Sequence, residues 1–351
     1  MNEQYSKEEY EKKIAGYQLG SARARKELYK QFRKVIEEQA LRRFAIIEKS
    51  VAVSGNSIIN SKNCLYAFDA HKVEDSKYAV VCGDAKNTMD SYHYGFACEL
   101  IYESHALIHD YDVKFSHLSY DNSHLEYCDS CHNSENLFGC VGMKQGKYCI
   151  FNKRYEEGEY AALKEKIIAH MKETGEYGEF FPPALSPFGY NETQGNIYMP
   201  FTKEEAIAKG YKWEDLVPGT FGKETMKPEA IPDDIKEAQD LIVKEALACV
   251  QCKRNYNIIQ AELNFYRRTQ IPIPRLCPEC RYRRRLELRL PRKLWHRKCM
   301  CAGAASENGN WKNTGRHSHG DDHCEISFET PYAPERKEIV YCEACYQNEV
   351  A

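Results

Sequence analysis

Apolar residues recur at helical spacing near the start of the chain. Ser6 and Glu9 form the signature of a capping box ahead of one run, and Ser21 begins a second run after the break at Gly20. This pattern predicts two helices, which make residues 1–48 an N-terminal helical unit.

Residues from about 50 to 155 show short strand-like runs and no helical period. Stretches such as NSKNCLYAFD, DSKYAVVCGD and DSYHYGFACE begin with a polar residue and continue with about five residues that include aromatics and a cysteine. This repetition predicts an irregular β-solenoid with about two short strands per turn, and a β-sandwich of many short strands is the alternative. The anchor residues of the runs recur mostly every 11 to 15 positions, at Ser61, Ser76, Ser91, Ser104, Ser116, Ser123, Ser134 and Gly146.

Helical spacing returns after the repeats. A run over 155–171 predicts a helix that caps the solenoid and completes a β-rich repeat region over 49–172. Residues 173–245 begin with a segment rich in Pro, Gly and aromatics, which predicts an irregular strap followed by short helices. Thr202 caps the first of these helices, and the segment 228–247 predicts another that leads into the first cysteine pair.

The composition indicates a soluble globular protein. The chain has 351 residues, 42% of them apolar, yet no stretch approaches the roughly 18 consecutive apolar residues of a membrane span. The first residues are charged and lack the apolar core of a signal peptide, so we expect a cytoplasmic protein without membrane contact. In that reducing compartment the 16 cysteines should serve as metal ligands or core residues rather than as disulfides.

Cysteine spacing predicts a zinc finger in residues 246–298. Cys249 and Cys252 are followed, after 24 residues, by Cys277 and Cys280. Four thiolates in two CxxC turns meet the tetrahedral geometry that Zn²⁺ prefers. The residues between the pairs have the aromatic and branched content of a β-hairpin, and the proline after the third cysteine suits the start of a helix.

Two segments resemble known zinc-binding families. The segment CVQCKRNYNIIQAELNFYRRTQIPIPRLCPECRYRRR, with Glu262 and the aromatic pair Phe265 and Tyr266 between its CxxC turns, resembles the probable zinc-ribbon domains, which are of treble-clef type. The C-terminal TPYAPERKEIVYCEACY resembles a second treble-clef type. The whole chain resembles bacterial zinc-binding proteins that join a Cys-rich repeat region to tandem fingers of this kind. The resemblance implies zinc binding and no particular activity.

A second finger is predicted near the C-terminus. Cys342 and Cys345 form one half of the site, and the resemblance implies Cys324 in the other half. An insertion then separates the two ligands of that half, so that Cys301 or Cys299 supplies the fourth thiolate, and we assign Cys301.

The inserted loop of this second finger, which covers 299–351, carries further donors. One cysteine, Cys299 if Cys301 is the fourth ligand, remains with His317, His319 and His323. These residues either bind an additional zinc ion or form a polar surface loop. We therefore expect two zinc ions, with a third as the alternative.

The repeat region has cysteines of its own. Cys128, Cys131, His132 and Cys140 have the residue types of a metal site, but cysteines recur at similar positions of the repeat, which favours packing in the core. The recurring residues include Cys64, Cys82, Cys98 and Cys149. No catalytic triad, paired-acid or nucleotide-binding motif stands out, so an enzyme that uses the solenoid groove is the least supported function.

Positive charge is concentrated between the two predicted fingers. From Arg281 to Lys298 nine Lys or Arg stand against one acid, Glu287, so this segment carries +8 and the rest of the chain −11, for a net charge of −3. A helix over 278–290 would present arginines along one stripe, where their planar groups suit phosphate oxygens. The alternative is pairing with the acidic remainder, within one chain or between subunits. The residues predicted to contact nucleic acid are Arg281, Arg284, Arg285, Arg289, Arg292 and Lys293.

The sequence thus predicts an α+β protein with N-terminal helices, an irregular β-solenoid-like repeat region and C-terminal tandem treble-clef zinc fingers. We expect a nonenzymatic zinc-binding protein that contacts RNA or the ribosome through the basic helix. A protein–protein interaction scaffold with purely structural zinc is the alternative.

Overall fold

The computed structural model describes residues 3–215, 219–303 and 312–350. The protein is a mixed α+β structure, in which a β-solenoid of about nine turns is followed by a C-terminal part that contains clusters of cysteines. The solenoid and the cysteine clusters agree with the sequence-based expectation.

Eight α-helices are present in the described part of the chain. They are α1 (Lys7–Gly16), α2 (Ala22–Glu38), α3 (Glu157–Thr174), α4 (Gly195–Tyr198), α5 (Lys203–Ala208), α6 (Gln260–Thr269), α7 (Pro278–Leu286) and α8 (Glu343–Val350). The capping boxes at Ser6 and Thr202 are both formed. The prediction of a helix over 228–247 was wrong. Three short 3-10 turns form there instead, since Pro232 lacks the N–H that a continuous helix requires.

Eighteen strands are present in the same ranges. They are β1 (Leu41–Arg43), β2 (Ile47–Glu48), β3 (Val51–Ile59), β4 (Lys62–Lys77), β5 (Val80–Met89), β6 (Tyr92–Tyr102), β7 (His105–Ile108), β8 (Tyr111–Lys114), β9 (His117–Tyr120), β10 (Ser123–Glu126), β11 (Glu135–Phe138), β12 (Lys147–Ile150), β13 (Lys153–Arg154), β14 (Leu247–Ala248), β15 (Asn255–Tyr256), β16 (Trp295–Lys298), β17 (Ser327–Thr330) and β18 (Ile339–Tyr341). Strands β2 to β13 form the solenoid.

Successive solenoid turns pair in parallel at a spacing of twelve residues over most of their length. Phe68 pairs with Val80, for example, and Val80 pairs with Tyr92. This parallel coiling excludes the β-sandwich, which was the alternative architecture. The turn is also more regular than the predicted spacing of 11 to 15 residues.

Within each turn the backbone repeats every three residues. Asn60, Asn63 and Tyr66 have φ of 53°, 55° and 52°, and the residue after each one is buried. The left-handed residue bends the chain, so the next side chain points inward and two of every three face outward. Four inward positions in twelve residues leave a narrow interior, which small side chains such as Ser, Ala and Cys fill.

Serine hydroxyls join the turns inside the solenoid. Ser104 Oγ accepts a hydrogen bond from Ser116 N at 3.2 Å, and Ser116 Oγ accepts one from Cys128 N at 3.2 Å. Most of the predicted anchor residues therefore face inward. Ser123 differs, because its neighbour Asn122 occupies the buried position instead.

The solenoid is covered at its C-terminal end by α3, as predicted. Tyr160 of this helix is buried against a column of aromatic and branched residues that includes Phe138 and Ile150. Lys164 of the same helix forms an ion pair with Glu126 at 2.8 Å.

The N-terminal segment extends into the C-terminal part. Helix α2 ends at Glu38, and β1 pairs in parallel with β18, with Leu41 opposite Ile339. The two helices expected in residues 1–48 are present as α1 and α2, but residues 41–43 form a strand because they pair with a distant strand.

Candidate metal centres and a basic groove

Site 1 consists of Cys249, Cys252, Cys277 and Cys280, whose sulfur atoms all lie within 4.8 Å of one another. Cys249 follows β14, and Cys252 closes the turn that leads to β15. Cys277 is the N-cap of α7 and Cys280 lies in its first turn, so the positive end of the helix dipole faces both thiols. The structure thus brings together the four residues that the spacing predicts.

The geometry of site 1 fits a tetrahedral metal ion. Cys252 Sγ and Cys277 Sγ are 3.6 Å apart, and metal–sulfur bonds of about 2.3 Å require a separation of about 3.8 Å. Burial raises the pKa of Cys249, but backbone hydrogen bonds from Cys252, Cys277 and Gln251 outweigh it and lower the pKa to about 6. These hydrogen bonds favour the thiolate form of Cys249, whereas burial raises the pKa of Cys277 and Cys280.

A helix separates the two halves of site 1. The sequence predicted a β-hairpin between them, but α6 occupies the middle of this segment and buries Leu263 and Tyr266 against the cysteine-bearing loops. The prediction was wrong because Leu263 and Tyr266, three positions apart, lie on one buried helical face. Tyr256 Oη donates to Pro274 O and fixes the loop before α7.

Site 2 consists of Cys299, Cys324, Cys342 and Cys345, all buried and within the same 4.8 Å limit. Its fourth thiol is Cys299 and not the assigned Cys301. Strand β16 ends at Lys298, so the next residue, Cys299, lies in the cluster. Cys342 N donates a hydrogen bond to Cys299 Sγ at 3.2 Å. Cys324 Sγ and Cys342 Sγ are 3.9 Å apart, again close to the edge of a metal–thiolate tetrahedron.

Site 3 consists of Cys301, His317, His319 and Cys345, so that it shares Cys345 with site 2. His319 Nε2 lies 3.4 Å from each of the two sulfurs, and His317 Nδ1 lies 3.5 Å from Cys301 Sγ. Of the three histidines predicted as further donors, His323 is not in this group, since its Nδ1 donates to Cys301 O at 2.9 Å.

The basic segment differs from the predicted stripe. Helix α7 ends at Leu286, so Arg289 does not continue the line of Arg281 and Arg285. Arg281 points inward: it donates to Tyr266 Oη at 2.9 Å and pairs with Glu262 at 3.3 Å.

Two other arginines bind the solenoid. Arg292 donates to Asp69 of β4 at 2.9 Å and 3.1 Å, and its guanidinium carbon lies 4.2 Å from the centre of the Tyr198 ring. Arg289 reaches the same carboxylate at 3.9 Å. Arg281, Arg289 and Arg292 therefore pair with acidic residues of the same chain, which was the alternative to contact with nucleic acid.

A basic groove lies between α2 and α7. Arg284 and Arg285 of α7 line it together with Arg25 and Lys26 of α2, and its volume is about 900 Å³. Glu287 is the one acid among the described residues that line it. In the described ranges none of these four cations forms an ion pair. Sequence reasoning missed Arg25 and Lys26, because they are 250 or more positions from α7 and nothing in their spacing indicates that the helices meet.

Aromatic rings lie beneath several of these cations. Arg284 lies over the Tyr29 ring at 5.3 Å, and Arg285 lies over the Tyr282 ring at 5.8 Å. Lys293 lies over Trp295, outside the groove. The rings hold Arg284 and Arg285 in place without neutralising their charge.

The solenoid cysteines lie in the interior. Cys128, Cys131 and Cys140 are all buried in the core of the coil, whereas His132 points to the outer face and stacks on Tyr120 at 5.0 Å. Cys131 and His132 therefore face opposite sides of the coil wall.

No protein-family model matches the sequence, and none of the curated proteins matches it significantly. In the described residues we find no helix that combines the length and the apolarity needed to cross a bilayer.

Proposed function

We propose that the protein binds zinc at sites 1 and 2, and that both sites are tetrathiolate centres of treble-clef type. Two features support this proposal. The sulfur separations of 3.6 Å and 3.9 Å match a Zn²⁺ tetrahedron, and in each site one CxxC pair lies at the start of a helix, α7 or α8. Closed sites of four thiolates leave no open position, which indicates a structural role for the metal.

The basic groove is the proposed nucleic-acid interface, and RNA is the proposed ligand. The observation that carries this proposal is that Arg25, Lys26, Arg284 and Arg285 converge on one groove without carboxylate partners among the described residues. Unpaired guanidinium groups bind phosphate oxygens in a planar, two-pronged geometry. The metal at site 1 would hold α7, and so two of these side chains, at a fixed distance from α2.

The number of cations sets the expected salt dependence. If all four contact phosphates of a single strand, the logarithm of the binding constant falls with the logarithm of salt at a slope of about −2.8. Affinity then falls about 50-fold between 50 mM and 200 mM salt. Contacts that depend on base edges would show a much weaker dependence.

Fluorescence anisotropy with a labelled single-stranded RNA and the zinc-loaded full chain tests the interface. The double variant Arg284→Glu with Arg285→Glu should abolish binding at 200 mM salt and flatten the salt slope at 50 mM. Lys153→Glu with Arg154→Glu is the matched control, because both residues are exposed and lie at the far end of the solenoid. The absence of binding at 50 mM salt, or an equal loss in the control, would contradict the proposal.

A protein-binding scaffold is the second candidate. Tyr66 and Tyr78 stack at 5.4 Å on the solenoid surface and are 40% and 45% exposed. Exposed tyrosines of this kind are frequent in protein interfaces. A partner whose affinity depends on Tyr66→Ser and not on Arg284→Glu, measured by calorimetry, would favour this function over RNA binding.

A further inference from the structure

Sites 2 and 3 share one ligand. Cys345 Sγ lies within 4.8 Å of the other three donors of each site. We propose that sites 2 and 3 form one binuclear zinc centre, in which the Cys345 thiolate bridges two ions. This inference rests on the proposed function, because it takes site 2 to be a zinc tetrathiolate.

The distances in site 3 are those of a mixed sulfur–nitrogen ligand set. Zinc bonds of about 2.3 Å to sulfur and about 2.0 Å to nitrogen place tetrahedral S and N ligands about 3.5 Å apart. His319 Nε2 is 3.4 Å from Cys301 Sγ and 3.4 Å from Cys345 Sγ, and His317 Nδ1 is 3.5 Å from Cys301 Sγ. Three such separations around one point indicate a metal position rather than a chance contact.

A buried carboxylate orients the first histidine of site 3. His317 Nε2 donates to Glu349 Oε1 at 2.8 Å, and both side chains are 1% exposed. A neutral imidazole that donates from Nε2 directs its Nδ1 lone pair at the metal position, which is the usual arrangement around zinc-bound histidine. Glu349 also accepts from Thr314 N and Gly315 N, at 2.9 Å each, so the loop is fastened to α8.

Hydrogen bonds also position Cys301 of site 3. Asn313 Nδ2 donates to Cys301 Sγ at 2.9 Å, and Tyr341 Oη donates to Asn313 Oδ1 at 2.7 Å. Tyr341 is fully buried and belongs to β18, directly before Cys342 of site 2. One strand therefore supports the ligands of both sites.

Two cations would balance the donors of this region better than one. Five cysteines, including Cys301 and the shared Cys345, meet beside the buried Glu349 carboxylate. Two ions bring four positive charges, and a bridging thiolate lies against both.

Native mass spectrometry and zinc X-ray absorption on the full-length protein test this centre. The expected result is three zinc ions per chain, with two nitrogens among twelve metal–ligand bonds. A zinc–zinc scattering path at roughly 3.5–4 Å, the spacing of two-metal sites, is also expected.

Variants separate the bridge from its alternatives. His317→Gln and His319→Gln should each remove one ion and leave two, bound through sulfur alone. Cys345→Ser should remove the third ion and also weaken site 2, so that one ion per chain stays tightly bound. His296→Gln is the matched control, because this histidine is exposed and outside the clusters, and it should retain three ions.

Each other outcome has a defined meaning. Two ions with purely sulfur ligation in the wild type would leave the proposed function standing and overturn the binuclear centre. Fewer than two ions would overturn the proposed function itself. Three ions without a zinc–zinc path, or with only one ion affected by Cys345→Ser, would show separate sites and overturn the bridge.

Discussion

Arg292 is predicted to be the main electrostatic link between the basic segment and the solenoid. Its side chain is 14% exposed, donates twice to Asp69 and lies on the Tyr198 ring. Replacing it with alanine removes two charge-assisted hydrogen bonds and a cation–π contact, and leaves the Asp69 carboxylate without this partner.

The expected loss follows from these contacts. Hydrogen bonds to a charged group contribute about 1.5–3 kcal/mol, and the lower end applies because Asp69 is 42% exposed. A partly desolvated cation–π contact adds about 1–2 kcal/mol. We therefore expect Arg292→Ala to lower the free energy of opening of residues 288–298 by about 2–4 kcal/mol, of which about 1–2 kcal/mol is coupling to Asp69.

Hydrogen exchange with zinc in excess is the suitable assay, because a chain with bound metals does not unfold in a single step. Amide exchange in residues 288–298 is compared among wild type, Arg292→Ala, Asp69→Asn and the double variant. Arg289 provides a matched control, because it meets the same carboxylate at 3.9 Å and is 39% exposed. Its coupling to Asp69 should be about 0.2–0.5 kcal/mol. Equal coupling energies for the two arginines would refute the reasoning.

Three predictions concern the solenoid. Gly55→Ala should destabilise it by about 3 kcal/mol or more in hydrogen exchange of the solenoid amides, because φ is +134° and a Cβ would lie 1.7 Å from Ala67 O. Ser116→Ala should cost about 1–3 kcal/mol in the same assay, since Cys128 N loses its acceptor in the core. Burial raises the pKa of Asp110 from 3.8 to about 7, so its contribution to stability is complete below pH 3.8 and is lost as pH rises towards 7. At pH 8 the Asp110→Asn variant should therefore melt at a higher temperature than the wild type, with a free energy of unfolding larger by up to about 4 kcal/mol. At low pH the two proteins should melt at the same temperature.

Controls for these variants come from the same region. Gly142→Ala has a positive φ of 65° and nothing within 4 Å of the added methyl group, so it should cost only about 1 kcal/mol. A Gly55→Ala loss no larger than this would contradict the close-approach argument. A constant melting difference between Asp110→Asn and wild type from pH 4 to pH 8 would rule out titration of Asp110 as its cause.

The repeat could be recognised in the sequence, but its period could not. Serine and cysteine recur visibly, since small side chains fill many of the inward positions in a turn of twelve residues. The three-residue period was hidden because left-handed positions carry Asn and Asp at some turns and Tyr66, Val81 or Phe96 at others. These bulky residues are unfavourable in that conformation, and stacking against neighbouring turns holds them there.

The cysteine clusters could also be predicted only in part from the sequence. Site 1 follows from CxxC spacing, because each pair of ligands lies within one turn of chain. The choice between Cys299 and Cys301 could not be made, since it depends on where β16 ends and on which side of the chain each sulfur points. The orienting role of Glu349 was equally hidden, because it arises from a contact with a residue 32 positions away.

The pairing of β1 with β18 has a consequence for synthesis of the chain. Leu41 is translated early, but its partner Ile339 follows 298 residues later, and Cys342 comes directly after that strand. Solenoid turns coil locally and can form as they emerge, whereas this closure brings distant parts of the chain together and forms late. If the C-terminal cysteines bind zinc as proposed, they bind it at this last step of folding. A chain made without zinc would then have a folded solenoid, while β1 and the C-terminal cysteines would remain unpaired.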